Sequence, residues 1–440
     1  MSPTVITPPT STTSTTRTKL RSEKSAPNQR QEMAQARALT DRLFRQVRPE
    51  AYFDRPIPER HRILFYMGHL EAFDWNLIGK NGLGSKSISE ELDKLFAFGI
   101  DPPVGQLPQD QPSDWPSVEH ARQYVEAVRK KLDSAMKAAP PEMIAMALEH
   151  RLMHAETFTY ILHNLPYTRK ILENEKTAGS APSLNQKSPQ LQMMEVSAGT
   201  VTLGMKHEDG FGWDNEFEQH TRDVSAFAMS KHKITNGQYL EFVKAGGQAP
   251  HYWLCRNDQW FYRGMNAEVP LPLDWPVYVT HSQAEAYAQW VGKSLPTEEQ
   301  FHRAAFGIAA FETEQSQTEK RREQSFPWGN EPPGTHFGNF SFYNPDLVPV
   351  TATPAGDSAF GISQLTGNGW EWTRSLFKPF PGFAASPSYP GYSVNFFDDD
   401  HFVLKGASCA TDARLIRPSF RNWFRRDYPY AYTTFRVVEN

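Results

Sequence analysis

The sequence predicts a helical bundle followed by a loop-rich α+β domain, and three observations predict it. From about residue 31 to 175, apolar residues recur at intervals of three and four, the period of an amphipathic helix. Residues 174–190, NEKTAGSAPSLNQKSPQ, are polar and rich in Ser and Pro, as linkers are. Beyond them the pattern turns to short stretches punctuated by Gly, Pro and Trp, with few long helical runs. The expected division is a disordered tail over 1–30, a four-helix bundle over 31–175, a linker over 176–190 and an α+β domain over 191–440.

Each element has its own signal. The first 31 residues, MSPTVITPPTSTTSTTRTKLRSEKSAPNQRQ, are rich in Thr, Ser and Pro and lack the apolar segment of a secretory signal. Their basic, acid-poor character faintly resembles an organelle transit peptide, but a solvated tail is the expected reading. QEMAQARALTDRLFRQV reads as the first helix, and RHRILFYMGHLEAFDWNLIG as a second that is apolar nearly all round and therefore buried. A long connection leads to the third, SVEHARQYVEAVRKKLDSAMKA, with Ala121, Tyr124, Val125 and Val128 on one side. The fourth, PPEMIAMALEHRLMHAETFTYILHNL, opens with prolines where a helix tolerates them. After the linker, MEVSAGTVTLGM predicts short strands around a glycine turn, and TNGQYLEFVKAGG and THSQAEAYAQWVGK predict two helices. GNGWEWTRSLF, HFVLKGAS and YTTFRVVEN supply further short strands.

Composition narrows the function classes. A chain of 440 residues with 39% hydrophobic and 22% charged content is an ordinary globular protein of two or three domains. The net charge of −4, with no basic run interleaved with aromatics, gives no case for nucleic acid or anionic lipid as a partner. No apolar run is long enough to cross a bilayer. Two cysteines, Cys255 and Cys409, exclude a disulfide framework and a Cys-rich zinc site and fit a reducing compartment, so a cytoplasmic protein is expected. The aromatic share of 13% suggests a concave site with many stacking surfaces.

The chemistry concentrates on histidine. His150 and His154, four apart on the fourth helix, point the same way. His69 lies in the second helix among Phe65, Leu70, Phe73 and Trp75, where a neutral imidazole needs a hydrogen-bond partner or a metal. If the two helices face each other, the three imidazoles form one face and leave open coordination positions, as a catalytic metal requires. Nitrogen-only ligation suits iron, zinc or copper. His61, in the charged run PERHR, is a weaker candidate, and His163 is expected as a favourable cation at a helix C-terminus. Glu149 and Glu156 are expected in surface ion pairs rather than as acceptors behind the ligands. Trp370 and Trp372 read as core, and Glu371, Arg417 and Arg421 as charges that hold the fold.

The combination of these motifs is specific. A histidine in the second helix and H-x-x-x-H followed by Glu precede G-N-x-W-E-W-T, V-L-K-G-x-S-x-A-T and R-P-S-F-R-N-W-F. The chain after about residue 30 thereby resembles the ergothioneine sulfoxide synthases, the EgtB family, and the related selenoneine synthases (SenA). The resemblance implies a DinB-like four-helix bundle fused to a C-type-lectin-like domain similar to the formylglycine-generating enzyme. It implies Fe(II) held by His69, His150 and His154, and O2-dependent bond formation at the imidazole C2 of hercynine (Nα-trimethylhistidine). Tyr389 and Tyr392 in SYPGYS match the family's Y-x-x-Y. Alone they read as loop packing, but the resemblance implies Tyr389 as proton donor and Tyr392 as a wall of the hercynine pocket. Asn422 and Trp423 match positions that hold the betaine's carboxylate and cationic head, a head that aromatic faces suit best.

Two departures concern the substrates. Met153 stands where the well-known bacterial branch has a Gln that positions the substrate imidazole. Phe424 stands where the branch using γ-glutamylcysteine has an acid, though Asp427 lies close enough in sequence to take that role. The run around His69 also differs from the usual W-H-x-x-H-T. Cysteine or γ-glutamylcysteine, giving a sulfoxide, and a selenosugar are therefore equal expectations for the donor. Two other readings are a binding module without metal chemistry and formylglycine-type oxidation of a peptide. The histidines in register argue against the first, and the lack of a paired-cysteine copper site against the second.

Overall fold

The computed structural model describes residues 29–100, 106–171, 187–308, 323–344 and 346–439. Nearly all of the expected tail and most of the expected linker lie outside the described residues. The N-terminal region contains α1 (Gln29–Arg45), α2 (Ile63–Asp74), α3 (Glu90–Phe98), α4 (Val118–Ala135) and α5 (Pro141–Asn164). Four are the expected helices. The fifth, α3, fills the connection expected between the second and third, capped by Ser89 accepting from the Leu92 amide. The second helix is shorter than its apolar run, because Trp75–Gly82 continues it as a π-helical segment.

Packing places α2 at the centre, against α3, α4 and α5, with α1 against α5. A buried ion cluster fixes the α2–α5 register: the Arg151 guanidinium lies 2.9 Å from Glu71 and 2.6 Å from Asp74. All three side chains are buried. A one-turn slip would strand charges that cannot be hydrated, so the cluster sets register more than it adds stability. Because Arg151 follows His150 and Glu71 lies two residues after His69, this register also brings the histidines together.

The second region contains β1 (Met193–Val196), β2 (Gly199–Leu203), β3 (His220–Val224), β4 (Phe227–Ser230), α6 (Asn236–Lys244), β5 (Trp253–Arg256), β6 (Gln259–Arg263) and β7 (Glu268–Pro270). It continues with α7 (His281–Trp290), α8 (Glu298–Phe306), β8 (Gly369–Leu376), β9 (His401–Ala407), β10 (Asn422–Arg425), β11 (Thr433–Thr434) and β12 (Val438–Glu439). The largest sheet has the order β10-β9-β8-β11, and the described residues form three smaller ones besides. Reciprocal caps open all three helices: Thr235 with Gln238, Thr280 with Gln283 and Thr297 with Gln300. The third signal, TEEQ, opens a helix with apolar Phe301, Ala304 and Ala305 on one face.

Charges buried between the regions lock them together, which corrects the surface positions expected for Glu149 and Glu156. Arg417 holds Glu149 at 2.9 Å and Glu216 at 2.5 Å, and Glu149 also accepts from the Trp213 indole at 2.9 Å. Glu156 accepts from Trp370, Ser408 and Thr411 at 2.6–2.8 Å. Both lie on α5, most of whose residues are buried. His163 is corrected likewise. It is buried, with Nε2 donating to the Arg263 carbonyl and Nδ1 accepting from Tyr432. Burial pushes its pKa down to about 3, so it is neutral rather than a helix-end cation. Glu371 pairs with Lys233 and Arg436, and Arg421 with Glu298, as expected of charges that hold a fold.

Arg417→Ala would leave two carboxylates buried without their cation. We expect a loss of roughly 3–5 kcal/mol in urea unfolding, together with loosening of the indole that Glu149 holds.

Candidate metal centre and substrate cavity

The α2–α5 interface brings His69, His150 and His154 together, with one ligand atom from each lying within 4.8 Å of the others. His69 Nε2 and His154 Nε2 are 3.3 Å apart. His69 Nδ1 lies 2.8 Å from the Phe96 carbonyl of α3. A carbonyl only accepts, so Nδ1 carries the proton and the Nε2 lone pair faces the cluster. His150 has no hydrogen-bond partner at either ring nitrogen, nor has His154 at Nδ1. Buried polar atoms without partners are rare, and here they sit where ligand atoms for a cation converge.

Electrostatics keep these rings neutral. Burial lowers the pKa of His69 to about 4, and burial plus neighbouring positive charge holds His150 and His154 well below the usual range. Aromatic rings fix their planes: Phe73 stacks on His150 at 3.5 Å and Phe65 on His69 at 4.7 Å. The donor set therefore fits a metal ion. His61 lies outside this group, as expected of the weaker candidate.

Gly68 explains how α3 comes close enough to orient His69. A Cβ there would stand 2.3 Å from the Phe96 ring. Gly68→Ala would push Phe96 away and release Nδ1, and we expect metal affinity to fall about 10- to 100-fold, read by calorimetric titration.

Beside the histidines lies a cavity of about 390 Å3. His150, Met153 and His154 line it from α5, Tyr389 and Tyr392 from a loop, and Asn422, Trp423 and Phe424 from β10. His69 approaches from the bundle interior and does not line it. The Tyr389 ring lies 5.4 Å from Phe73 and 6.2 Å from His150. Tyr392 stacks on Trp213 at 4.1 Å, meets Trp423 edge-on at 5.3 Å and donates to Met153 Sδ at 3.4 Å. Trp423 is backed by Phe377 at 4.2 Å, and Phe424 lies parallel to Tyr428 at 5.1 Å. Asn422 Oδ1 accepts from the Trp423 amide, leaving its NH2 group for other partners. Burial raises the pKa of both Tyr389 and Tyr392, with nearby carboxylates adding to the effect at Tyr392.

Asp427 is exposed and does not line the cavity, so it does not replace the acid that Phe424 lacks. Trp370, expected as core, is buried and also contributes to the wall. Sequence reasoning missed Arg60, Thr157, Tyr160, His401 and Tyr428, which line the same space. Thr157 and Tyr160 extend the helical face of Met153 and His154 by successive turns, a signal present in the sequence. Cys255 and Cys409 are both free, the first exposed and the second buried. Among the described residues no helix is long and apolar enough to cross a membrane.

Two family models match the chain: the DinB superfamily over residues 32–161 and the Sulfatase-modifying factor enzyme 1-like domain over residues 179–440. Fold and sequence thus define a DinB-type bundle joined to a sulfatase-modifying-factor-type domain. Hercynine oxygenase of Mycobacterium tuberculosis is 33% identical over 73% of this chain and 77% of its own length. Hercynine oxygenase of Mycolicibacterium thermoresistibile is 32% identical over 85% of each chain. Ergothioneine biosynthesis protein 1 of Neurospora crassa is 27% identical over 92% of this chain, which spans 56% of the fungal protein. The chain belongs to the EgtB family of enzymes, that of the hercynine oxygenases.

Proposed function

We propose that this protein is a cytoplasmic, iron(II)-dependent synthase that uses O2 to join a sulfur or selenium donor to C2 of the hercynine imidazole. The observation that carries the reading is the set of three neutral imidazoles beside a cavity walled by Tyr389, Tyr392 and Trp423. The names of its relatives supply hercynine and ergothioneine biosynthesis. Iron(II) held by His69, His150 and His154 would supply O2 binding and one-electron chemistry.

The chain's own residues do the rest. The faces of Trp423 and Tyr392 suit a trimethylammonium group, which donates no hydrogen bonds. The free NH2 of Asn422 is available to the betaine carboxylate. Met153 takes the Tyr392 proton in a weak hydrogen bond and offers the substrate imidazole a packing surface rather than a polar partner. The raised pKa of Tyr389 means that its hydroxyl keeps its proton at neutral pH, so it serves as a proton donor beside the metal. Phe424 adds an apolar surface to the cavity wall.

Incubating iron-loaded enzyme with hercynine, O2 and each of cysteine, γ-glutamylcysteine and a selenosugar tests the reading. A product carrying sulfur or selenium at C2, identified by mass, is expected with at least one donor. No turnover of hercynine with any of them contradicts it.

A further inference from the structure

The loop that carries Tyr389 and Tyr392, SPSYPGYS over residues 386–393, is closed by a side chain from far along the sequence. Asp214, in the turn Asp214–Glu216 between β2 and β3, accepts from the Ser393 hydroxyl through Oδ1. Its Oδ2 accepts from the Ser386 amide in a longer bond of 3.5 Å. Both ends of the loop therefore meet the same carboxylate. Asn215 adds a bond from its side-chain NH2 to Ser393 Oγ at 3.0 Å. Asp214, Asn215 and Ser393 are buried, and none of the three lines the substrate cavity. Among the described residues no cation pairs with Asp214, whereas Glu216 of the same turn pairs with Arg417. A buried carboxylate without a counter-ion depends on the groups that donate to it, and here these include the two ends of the loop.

The two tyrosines need this closure unequally. Tyr392 has supports of its own, stacking on Trp213 at 4.1 Å and donating to Met153 Sδ at 3.4 Å. Tyr389 has none of that kind. Its ring neighbours Phe73, Tyr392, His150 and Trp213 lie at 5.4–6.5 Å. Among the described residues no protein group bonds its hydroxyl. What sets its position is the backbone: its amide donates to the Ser386 carbonyl at 3.2 Å, and its carbonyl accepts from the Tyr392 amide at 3.1 Å. Ser386 is also the residue whose own amide Asp214 holds. A line of contacts thus runs from Asp214 through Ser386 to Tyr389. A displacement of about 1 Å at a reacting group costs on the order of 100-fold in rate, so this line bears on the chemistry.

We propose that Asp214 is a positioning residue: by clasping both ends of loop 386–393 it sets the Tyr389 hydroxyl against the histidine face, without touching substrate itself. This rests on the proposed hercynine reaction and adds a residue behind its proton donor. Asp214→Asn keeps the shape and one acceptor oxygen, but an amide NH2 cannot accept, so one end of the loop is released. Ser393→Ala releases the clasp from the other side and leaves Asp214 in place.

Hydrogen exchange on the metal-free protein reads the clasp without catalysis. Amides of residues 386–393 should exchange about 10-fold faster in Asp214→Asn than in wild type, with α5 unchanged. In iron-loaded enzyme with hercynine and its donor, Asp214→Asn should form carbon–chalcogen product about 10- to 100-fold more slowly. A larger share of the O2 consumed should then go to oxidation of the donor. Fe(II) stoichiometry and hercynine Kd should change less than about twofold, which reports an intact fold. Ser393→Ala should show the same diversion, and the double variant should lose no more than the stronger single one, because both remove one clasp. Where Asp214→Asn fails to fold, Ser393→Ala decides by the same exchange and product measurements. Unchanged loop exchange, an unchanged share of product, or losses that add in the double variant overturn the proposal. If wild type makes no product from hercynine, the proposed reaction falls and loop exchange alone decides the clasp: faster exchange in Asp214→Asn supports it, and unchanged exchange overturns it.

Discussion

His150→Ala is expected to abolish stoichiometric Fe(II) binding and every activity that depends on it. The wild-type protein should take up one equivalent under anaerobic conditions, and the variant should bind at least about 100-fold more weakly. The size of the effect follows from what His150 does not do. Neither of its ring nitrogens bonds to protein, so removing the ring breaks no hydrogen-bond network. Its fixed plane comes from stacking on Phe73 at 3.5 Å, which leaves its nitrogens at the edge of the group formed with His69 and His154. The variant should therefore fold and keep its cavity while losing metal. Metal content measured after anaerobic loading and desalting reads this directly. Full iron occupancy in His150→Ala would remove the basis for the site.

Tyr389→Phe should lower formation of the carbon–chalcogen bond by about 100-fold or more, the usual range for loss of a positioned proton donor. The substitution keeps the ring and its contacts with Phe73, Trp213 and Tyr392, so hercynine and metal affinity should change less than about twofold. Oxygen uptake should continue and be diverted to oxidation of the donor. The separation matters because burial raises the Tyr389 pKa, which keeps the phenol protonated across neutral pH and available only as an acid. Product yield equal to wild type would deny Tyr389 a chemical role and return it to loop packing.

The site was legible in proportion to how local its signals are. His150 and His154 announce themselves by four-residue spacing on one helix, and the lipophilic setting of His69 shows that its ring needs a partner. Facing of α2 and α5 was an inference about packing, and the buried Glu71–Asp74–Arg151 cluster that enforces it shows no periodic signature. Glu149 and Glu156 looked like surface charges because a helix wheel sees only one partner face. They are buried because the second region covers the other. His163 was misread for the same reason, as its partners Arg263 and Tyr432 lie far along the chain. Arg60 was hidden in the charged run PERHR, where nothing local distinguishes an arginine bound for a cavity from one bound for solvent. In the second region, short strands and Thr-x-x-Gln caps were readable, and the order β10-β9-β8-β11 was not, because strand pairing over such separations leaves no local trace.

The proposed chemistry depends on one cation bound where two helices of the bundle meet the cavity. Anomalous diffraction at the iron edge, from crystals loaded anaerobically with Fe(II), tests this most directly. The predicted result is a single strong peak within bonding distance of imidazole nitrogens of His69, His150 and His154, open on the side facing Tyr389. A peak elsewhere, or none at those three rings in fully loaded crystals, contradicts it.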